Sequence, residues 1–376
     1  MLFSKLVNKG EVSANAVLTA DIDMSGVDNF TPIAKHYTSP YCGVFDGQGH
    51  IISNLNIDMN AGDSETGLFF RVTGATIKNL GVVNAIVKNP SAYRVGVLGG
   101  AAVSSNIINC FSAGSIELEN ESRGGLFGLI QGTLVSNCYT TYESVGFSDN
   151  GNIMNTYCGE DANRMAPIGE LCTLLNTESN VFRQTIGEDP YPIFDPTHGI
   201  VKKITDAGYA TMYIPETSVT IPTGVEAYTG TINGELLILN PLQDVVIKGQ
   251  AVVLKGNEGY YSFIPVETGV GLIQSDLLGT AEPLEANGTQ YVLAQKDDVI
   301  GFYKAEGTIA AGKAYLDIAD GSVKGFALSF DGETSIKTID NGQLTMDNAV
   351  IYDLSGRRVE KMQKGIYIVN RKKMLK

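Results

Sequence analysis

Apolar and polar positions in the first half of the chain recur in a four-residue unit: β-branched or apolar, variable, Asn, small or apolar. The copies are Ile52-Ser53-Asn54-Leu55, Ile77-Lys78-Asn79-Leu80, Ile107-Ile108-Asn109-Cys110, Val135-Ser136-Asn137-Cys138 and Ile153-Met154-Asn155-Thr156. Their asparagines are 25, 30, 28 and 18 residues apart. A second phrase falls between copies: Gly67-Leu68-Phe69, Gly96-Val97-Leu98-Gly99 and Gly125-Leu126-Phe127-Gly128, with first glycines 29 residues apart both times. A period in this range marks a stacked repeat. The runs inside it are short, β-branched and broken by Gly, Asn and Ser, with no sustained 3.6-residue apolar spacing, so a coil built of strands is predicted.

The asparagine supplies the mechanism. In an extended chain Ile52 and Asn54 would point to one face and Leu55 to the opposite one. Ile52 and Leu55 are both apolar, so the chain must bend at the Asn to turn both inward. Asn tolerates the left-handed backbone such a bend requires. Five asparagines stacked at the ~4.8 Å strand spacing would also bond one another.

The rest of the chain reads differently. Phe3, Leu6 and Val7 have helical spacing and predict a short helix over the open end of the coil. Ile168 to Thr177, with Leu171, Leu174 and Leu175 on one face, predicts a second helix that caps the other end. Two proline-rich pieces, from Asp189 and from Asp195, follow, and a boundary is expected near Ile204. From Gly208 onward strict alternation predicts antiparallel strands, with turns at Asn233-Gly234, Asp331-Gly332 and Asn341-Gly342. A sandwich or barrel is the expected result. Gly249-Gln250-Ala251-Val252 is echoed by Gly312-Lys313-Ala314-Tyr315, 63 residues later.

Phe45-Asp46-Gly47-Gln48-Gly49-His50, the Ile-x-Asn-Leu unit after it and the Gly-Leu-Phe-Gly units resemble the GLUG-repeat right-handed β-helices of Bacteroidetes-type surface proteins. The likeness covers roughly the first 200 residues; only Gly125 to Gly128 carries the full Gly-Leu-Phe-Gly. It implies an all-β protein, a right-handed parallel β-helix followed by an antiparallel β-sandwich. The domains expected are residues 1–204 for the β-helix with its helical caps, 205–346 for the sandwich and 347–376 for a final hairpin. That last stretch, Val350 to Val359 and Lys364 to Val369, is similar to tails associated with type IX secretion sorting, with Asn370-Arg371 where an Asn-Gly turn is usual. The resemblance implies a secreted or outer-surface location. Met1 to Lys5 lacks the apolar run of a leader, so one is expected to have been removed.

The net charge of −14 argues against nucleic acid and anionic membrane as partners. From Gly356 onward eight Lys or Arg face one Glu, a tail of +7 on a body of −21. Five cysteines occur; Cys110 and Cys138 share a repeat position and are expected to be buried and reduced. Asp21-x-Asp23-x-Ser25-Gly26 opens like a calcium loop, but Pro32 stands at its twelfth position, and Ile22 and Met24 suit a strand. His36, His50 and His198 lack metal-ligand spacing, and no nucleotide, nucleophile-elbow or Cys-x-x-Cys motif is present. No catalytic, metal or cofactor residue is assigned.

Three functions fit these features. The first is a non-enzymatic surface protein, a monomer with no membrane-inserted segment, binding an extracellular glycan or protein through the coil surface. The second is a polysaccharide lyase or hydrolase, which needs carboxylates roughly 5–9.5 Å apart. The positions beside the repeat asparagines (Ser53, Lys78, Ile108, Ser136, Met154) carry no acid pair, and Glu117, Glu119 and Glu121 read as a solvated strand face. Trp is absent, so Tyr37, Tyr41, Tyr93, Tyr139, Tyr142 and Tyr157 are the candidate sugar platforms. The third is a structural spacer.

Overall fold

The computed structural model describes residues 2–330 except 60–63, 90–91, 118–122, 178, 270, 297–298 and 320–322; beyond 330 it describes the backbone of six short strands. The protein is all-β, and its first half is a β-solenoid of about four turns. One solenoid sheet runs through Ala16–Val17, Val44–Ser53, Thr76–Lys88, Asn106–Glu117, Leu134–Ser136 and Asn152–Met154, all parallel. A second stacks Phe69–Thr73, Gly99–Val103, Phe127–Gln131 and Phe147–Asp149. A third, of Glu65–Thr66, Arg94–Gly96 and Arg123–Gly124, flanks them.

All five repeat asparagines adopt the left-handed backbone, with φ between +43° and +57°. They do not form one column. Register pairs Lys78 with Ile108, Ile108 with Ser136 and Ser136 with Met154, which stacks Asn79, Asn109, Asn137 and Asn155. Asn109 Nδ2 donates to Asn79 Oδ1 at 3.0 Å, and Asn155 Nδ2 to Asn137 Oδ1 at 3.3 Å. Asn54 belongs to a second corner: Ser53 pairs with Val83, which places Asn54 over Asn84, also left-handed at φ +51°. The repeat phase is therefore Ile52-Ser53-Asn54-Leu55 against Val82-Val83-Asn84-Ala85, and the short 25-residue step was a slip between columns. In the first column, Gly47-Gln48-Gly49 takes the place of an asparagine corner as a bulge between Asp46 and His50. A Cβ on Gly47 would lie 2.2 Å from the Asn79 carbonyl oxygen, so only glycine fits.

The glycine phrase is likewise shifted by one place. Gly96 pairs with Gly124, not Gly125. Inside the coil, Phe69, Gly99 and Phe127 share one column. A Cβ on Gly99 would meet the Phe127 ring at 2.5 Å, so the small residue makes room for the large one above it. Cys110 and Cys138 stack as free, buried thiols, with the Cys110 amide donating to Cys138 Sγ at 3.3 Å. Burial pushes the Cys138 thiol pKa well up, and its hydrogen bond with Cys110 adds to this.

The helix Leu2–Val7 covers the first end of the coil. Val7 is buried, and Phe3 packs edge-on against Tyr41 and Phe45 at 5.9 and 5.7 Å, whereas Leu6 is exposed. The expected cap at the other end is elsewhere. Gly159–Met165 and Glu170–Leu175, with the chain that follows, run along the outside of the large sheet. The reason lies in an outward apolar column in which Ile51, Gly81, Phe111, Tyr139 and Tyr157 are in register. Phe111 and Tyr139 stack at 5.0 Å, Tyr139 stacks on Tyr191, and its hydroxyl donates to the Pro192 carbonyl at 2.6 Å. Leu171, Cys172, Leu175, Phe182 and Phe194 bury against this face. Residues that face out of a coil in a continuous apolar row need a lateral cover more than the rung edge needs an end cap. The last rung stays open, with Phe147, Ile153 and Met154 exposed.

Ile200–Ile204 lies before the expected boundary yet pairs antiparallel with Gly259–Phe263 of the second half. Ile200 and Ile204 enter the second half's core, and Val201 packs on the solenoid cover. The main sheet there has nine strands in the order Tyr209–Met212, Val252–Gly256, Val225–Asn233, Leu236–Pro241, Gly325–Phe330, Val299–Lys304, Gln290–Lys296, Lys313–Asp317, Leu278–Thr280. All neighbours are antiparallel except Leu236–Pro241 with Gly325–Phe330. Both faces are buried: Val252 and Leu254 face one core, Ala251 and Val253 the other. The sheet curls until its first strand nears its eighth, where the Tyr213 amide donates to the Gly312 carbonyl at 2.9 Å. The echoed glycines Gly249 and Gly312 share a positive φ (76° and 74°) and bond the two residues that follow that first strand, Ile214 and Tyr213. Asn233-Gly234 forms a hairpin turn as predicted. The turns at 331–332 and 341–342 lie outside the described residues. At the C-terminus, Arg358–Val359, Ile351–Asp353, Ile366–Val369 and Lys372–Leu375 form an antiparallel sheet.

Candidate binding face

A row of arginines and tyrosines lies where the second and third solenoid sheets meet: Arg71 on Phe69–Thr73 of the second, Arg94 and Arg123 on the third, and Tyr37, Tyr93 and Tyr142 in the adjoining turns. Glu65, on Glu65–Thr66, is fully buried. Arg71 clasps it with two bonds, one from Nε to Oε2 at 2.9 Å and one from Nη2 to Oε1. One rung on, Arg94 Nη1 donates to the same Oε1 at 2.9 Å. The buried carboxylate thus carries two guanidinium groups and leaves one net positive charge at the surface. The Arg71 guanidinium lies 4.2 Å over the centre of the Tyr37 ring. Tyr93 stands beside Arg94, held by its amide to the Ser64 carbonyl at 3.0 Å. Tyr37 is 59% and Tyr93 73% exposed. On the following rung Arg123 pairs with Glu143 at 3.3 Å and lies 5.9 Å from the Tyr142 ring centre. Burial raises the Tyr142 pKa, against the opposing charge of Arg123. Flat rings beside fixed guanidinium donors can stack on a sugar or aromatic face and bond a carboxylate at once.

The six candidate tyrosines divide accordingly. Tyr41 and Tyr139 are core residues, Tyr157 lies half-buried under the flank cover, and Tyr37, Tyr93 and Tyr142 reach the arginine row. Glu65, Arg94 and Arg123 each stand two residues before a first glycine of the repeated phrase (Gly67, Gly96, Gly125), so the 29-residue period was the signal that could have found them; Arg71 is off that period and joins them through the Gly-Leu-Phe corner. Glu117 pairs with Lys88 at 3.1 Å, and Glu119 and Glu121 lie outside the described residues.

The acidic residues near the first rungs are tied to the corners. Asp23 accepts from Asn54 Nδ2 at 2.8 Å and from the Ser25 amide, which lowers its pKa. His50 Nδ1 lies 3.1 Å from Asp21 Oδ1, and that carboxylate also accepts the Ile51 amide. Burial would raise the Asp46 pKa, but bonds from the Gln48 amide, Asn79 and Lys78 outweigh it and hold the carboxyl below its ordinary value. His198 bonds Asp189 at 2.7 Å and braces the proline-rich cover. Among the described residues no group of three His, Cys, Asp or Glu side chains could hold a metal, and no helix is long and apolar enough to cross a membrane.

A cleft of about 510 Å³ opens in the second half. It lies along the seam where the curled sheet approaches closure, with Tyr209 and Thr211 on one wall and Leu293 and Gln295 on the other; Lys203 and Lys313 also line it.

No protein-family model matches this chain. A segment of 119 residues, 30% of the chain, is 36% identical to halomucin of Haloquadratum walsbyi. The chain spans about 1% of the length of that relative. A crystal structure of a candidate immunoglobulin A1 protease from Bacteroides ovatus is similar over 49% of this chain and 86% of its own, at 17% identity and a TM-score of 0.26.

Proposed function

We propose that the protein is a non-enzymatic secreted or cell-surface binding protein whose solenoid flank holds an extracellular glycan or protein ligand bearing carboxylates. The observation that carries this reading is the row from Tyr37 through Arg71, Glu65 and Arg94 to Tyr93: exposed rings and charged donors, fixed by a buried carboxylate, spread over adjacent rungs. Nothing in the row suits bond cleavage. Its one carboxylate is buried and already bonded to two arginines, so it is not free to act as acid, base or nucleophile. The reading includes the finer expectations drawn from the sequence: a right-handed GLUG-type coil, a sandwich-like module as its support and a sorting-like basic tail.

The test uses the full chain on an array of neutral, uronate-bearing and sialylated glycans and of matrix proteins. Tyr37→Ala and Tyr93→Ala alter exposed side chains and should leave the melting temperature unchanged. Binding to acidic glycans is expected, weakened at least tenfold by either change, which is about 1.4 kcal/mol. Binding that survives both changes intact, or steady release of reducing ends from a bound polysaccharide, would overturn the proposal.

A further inference from the structure

We propose that the open last rung of the solenoid is a self-association surface, on which a second copy of this chain docks its own last rung across a two-fold axis. The inference is independent of the arginine row. It starts from columns that end without a cover. Ile77, Ile107, Val135 and Ile153 are in register. The first three are fully buried, whereas Ile153 is 36% exposed because no rung follows it. Leu129 is buried, and Phe147, in register with it on the last rung, is 63% exposed. Met154 is exposed beside Ile153.

The backbone of that rung is open in the same direction. In a parallel ladder a residue aims its amide and carbonyl at one neighbouring strand, and the next residue aims both at the other. The Asn152 amide donates to the Thr133 carbonyl at 2.9 Å, and the Met154 carbonyl accepts the Asn137 amide at 3.2 Å. Asn152 and Met154 therefore bond the preceding rung. The amide and carbonyl of Ile153 between them point away from the coil body, where their sheet has no further strand among the described residues. Phe147–Asp149 ends the second sheet in the same way.

Three observations select a second copy as the cover. The other end of the coil is closed by the helix Leu2–Val7, with Phe3 packed on Tyr41 and Phe45. Head-to-tail stacking of strand on strand is thereby blocked, and a copy can offer only the same open rung, which gives a closed pair rather than a fibre. The geometry is also self-complementary. A two-fold axis through Ile153, perpendicular to the strand and in the plane of the rung, sets the two end strands antiparallel and keeps both coil interiors on one side. Ile153 then meets its own copy, each amide on the other's carbonyl, and the two half-covered side chains join one core. Charge does not oppose the contact. Of residues 143–158 only Glu143 and Asp149 are charged. Glu143 pairs with Arg123 at 3.3 Å, and Asp149 accepts from Gln131 at 2.8 Å and from Asn150 at 3.2 Å. A chain of net charge −14 thus offers its copy a rung with no unpaired charge. No lysine or proline guards this edge, the usual devices of strands that stay single.

Two measurements on the full chain decide the matter. Sedimentation velocity should show a reversible dimer with a Kd on the order of 10 μM, as suits a contact no wider than one coil cross-section. Met154→Lys places a charge on the exposed edge and should raise that Kd at least tenfold with an unchanged melting temperature. Leu272→Lys, at an exposed apolar side chain of the second half, should leave it unchanged. In amide exchange, Ile153 should slow about threefold or more between 1 and 100 μM protein, roughly the fall in monomer fraction at that Kd. A chain that stays monomeric, a dimer that Met154→Lys leaves intact or Leu272→Lys breaks, or an Ile153 amide whose exchange ignores concentration would each overturn the proposal. Protection of Ile153 at both concentrations in a monomer would mean that the chain covers its own rung.

Discussion

Asn109 offers the sharpest test of why the coil turns where it does. Its backbone sits at φ +51°, and its Nδ2 donates to Asn79 at 3.0 Å. Its Oδ1 is buried without a partner among the described residues. Replacement by Ala forces a Cβ-bearing residue without a compensating local hydrogen bond into the left-handed region, at about 1–2 kcal/mol, and removes a side-chain hydrogen bond worth about 0.5–1.5 kcal/mol. Replacement by Gly loses the same hydrogen bond but none of the backbone term. Both changes also remove the unpaired oxygen, so that gain cancels in the comparison. Asn109→Ala should therefore be less stable than Asn109→Gly by about 1–2 kcal/mol, a roughly 5- to 30-fold difference in the unfolding constant. Urea unfolding followed by circular dichroism reads this as a lower midpoint at unchanged slope. At the neighbouring extended residue Ile108 the order should reverse, with Gly the worse of the two. Equal midpoints for the two Asn109 variants, or Gly the less stable, would show that the corner is not held by backbone conformation and would refute the reasoning.

Two further outcomes follow from buried charge. Glu65→Ala leaves Arg71, only 11% exposed, without its carboxylate and should destabilise the solenoid by about 3–5 kcal/mol in a thermal melt; Glu65→Leu with Arg71→Met should recover much of that loss. Lys202 binds its proton less tightly when folded, with a pKa near 8 against about 10.4 unfolded. The unfolded chain then holds more protons across this window, so stability rises with pH from 8 to 9.5, and the penalty is fully present below 8. Lys202→Met should flatten that slope in urea titrations run at each pH; an unchanged slope would remove Lys202 as its source.

What was legible in the sequence is what local chemistry dictates. Asn is among the few residues that enter the left-handed region readily, so a recurring Asn between apolar residues announces a corner whatever surrounds it. All five predicted corners are corners. The alternation after Gly208 and the Asn233-Gly234 turn are equally local, and the strands are there.

Which corner lies over which was decided only in three dimensions. Asn54 fits Asn79 by motif and Asn84 by register, and the bulge at Gly47-Gln48-Gly49 shifts the phase between them. The helix expected at the coil's end lies along its side because Phe111 and Tyr139 point outward, and a single strand's pattern does not say which of two apolar faces is inside. Glu65 and Arg94 meet by one rung of stacking, at the 29-residue period of the glycine phrase, but Arg71 reaches the same carboxylate only around a tight corner that no period marks. Backbone preference is a property of each residue and survives in the sequence; register, coverage and charge pairing are properties of neighbours, and the neighbours exist only once the chain has coiled.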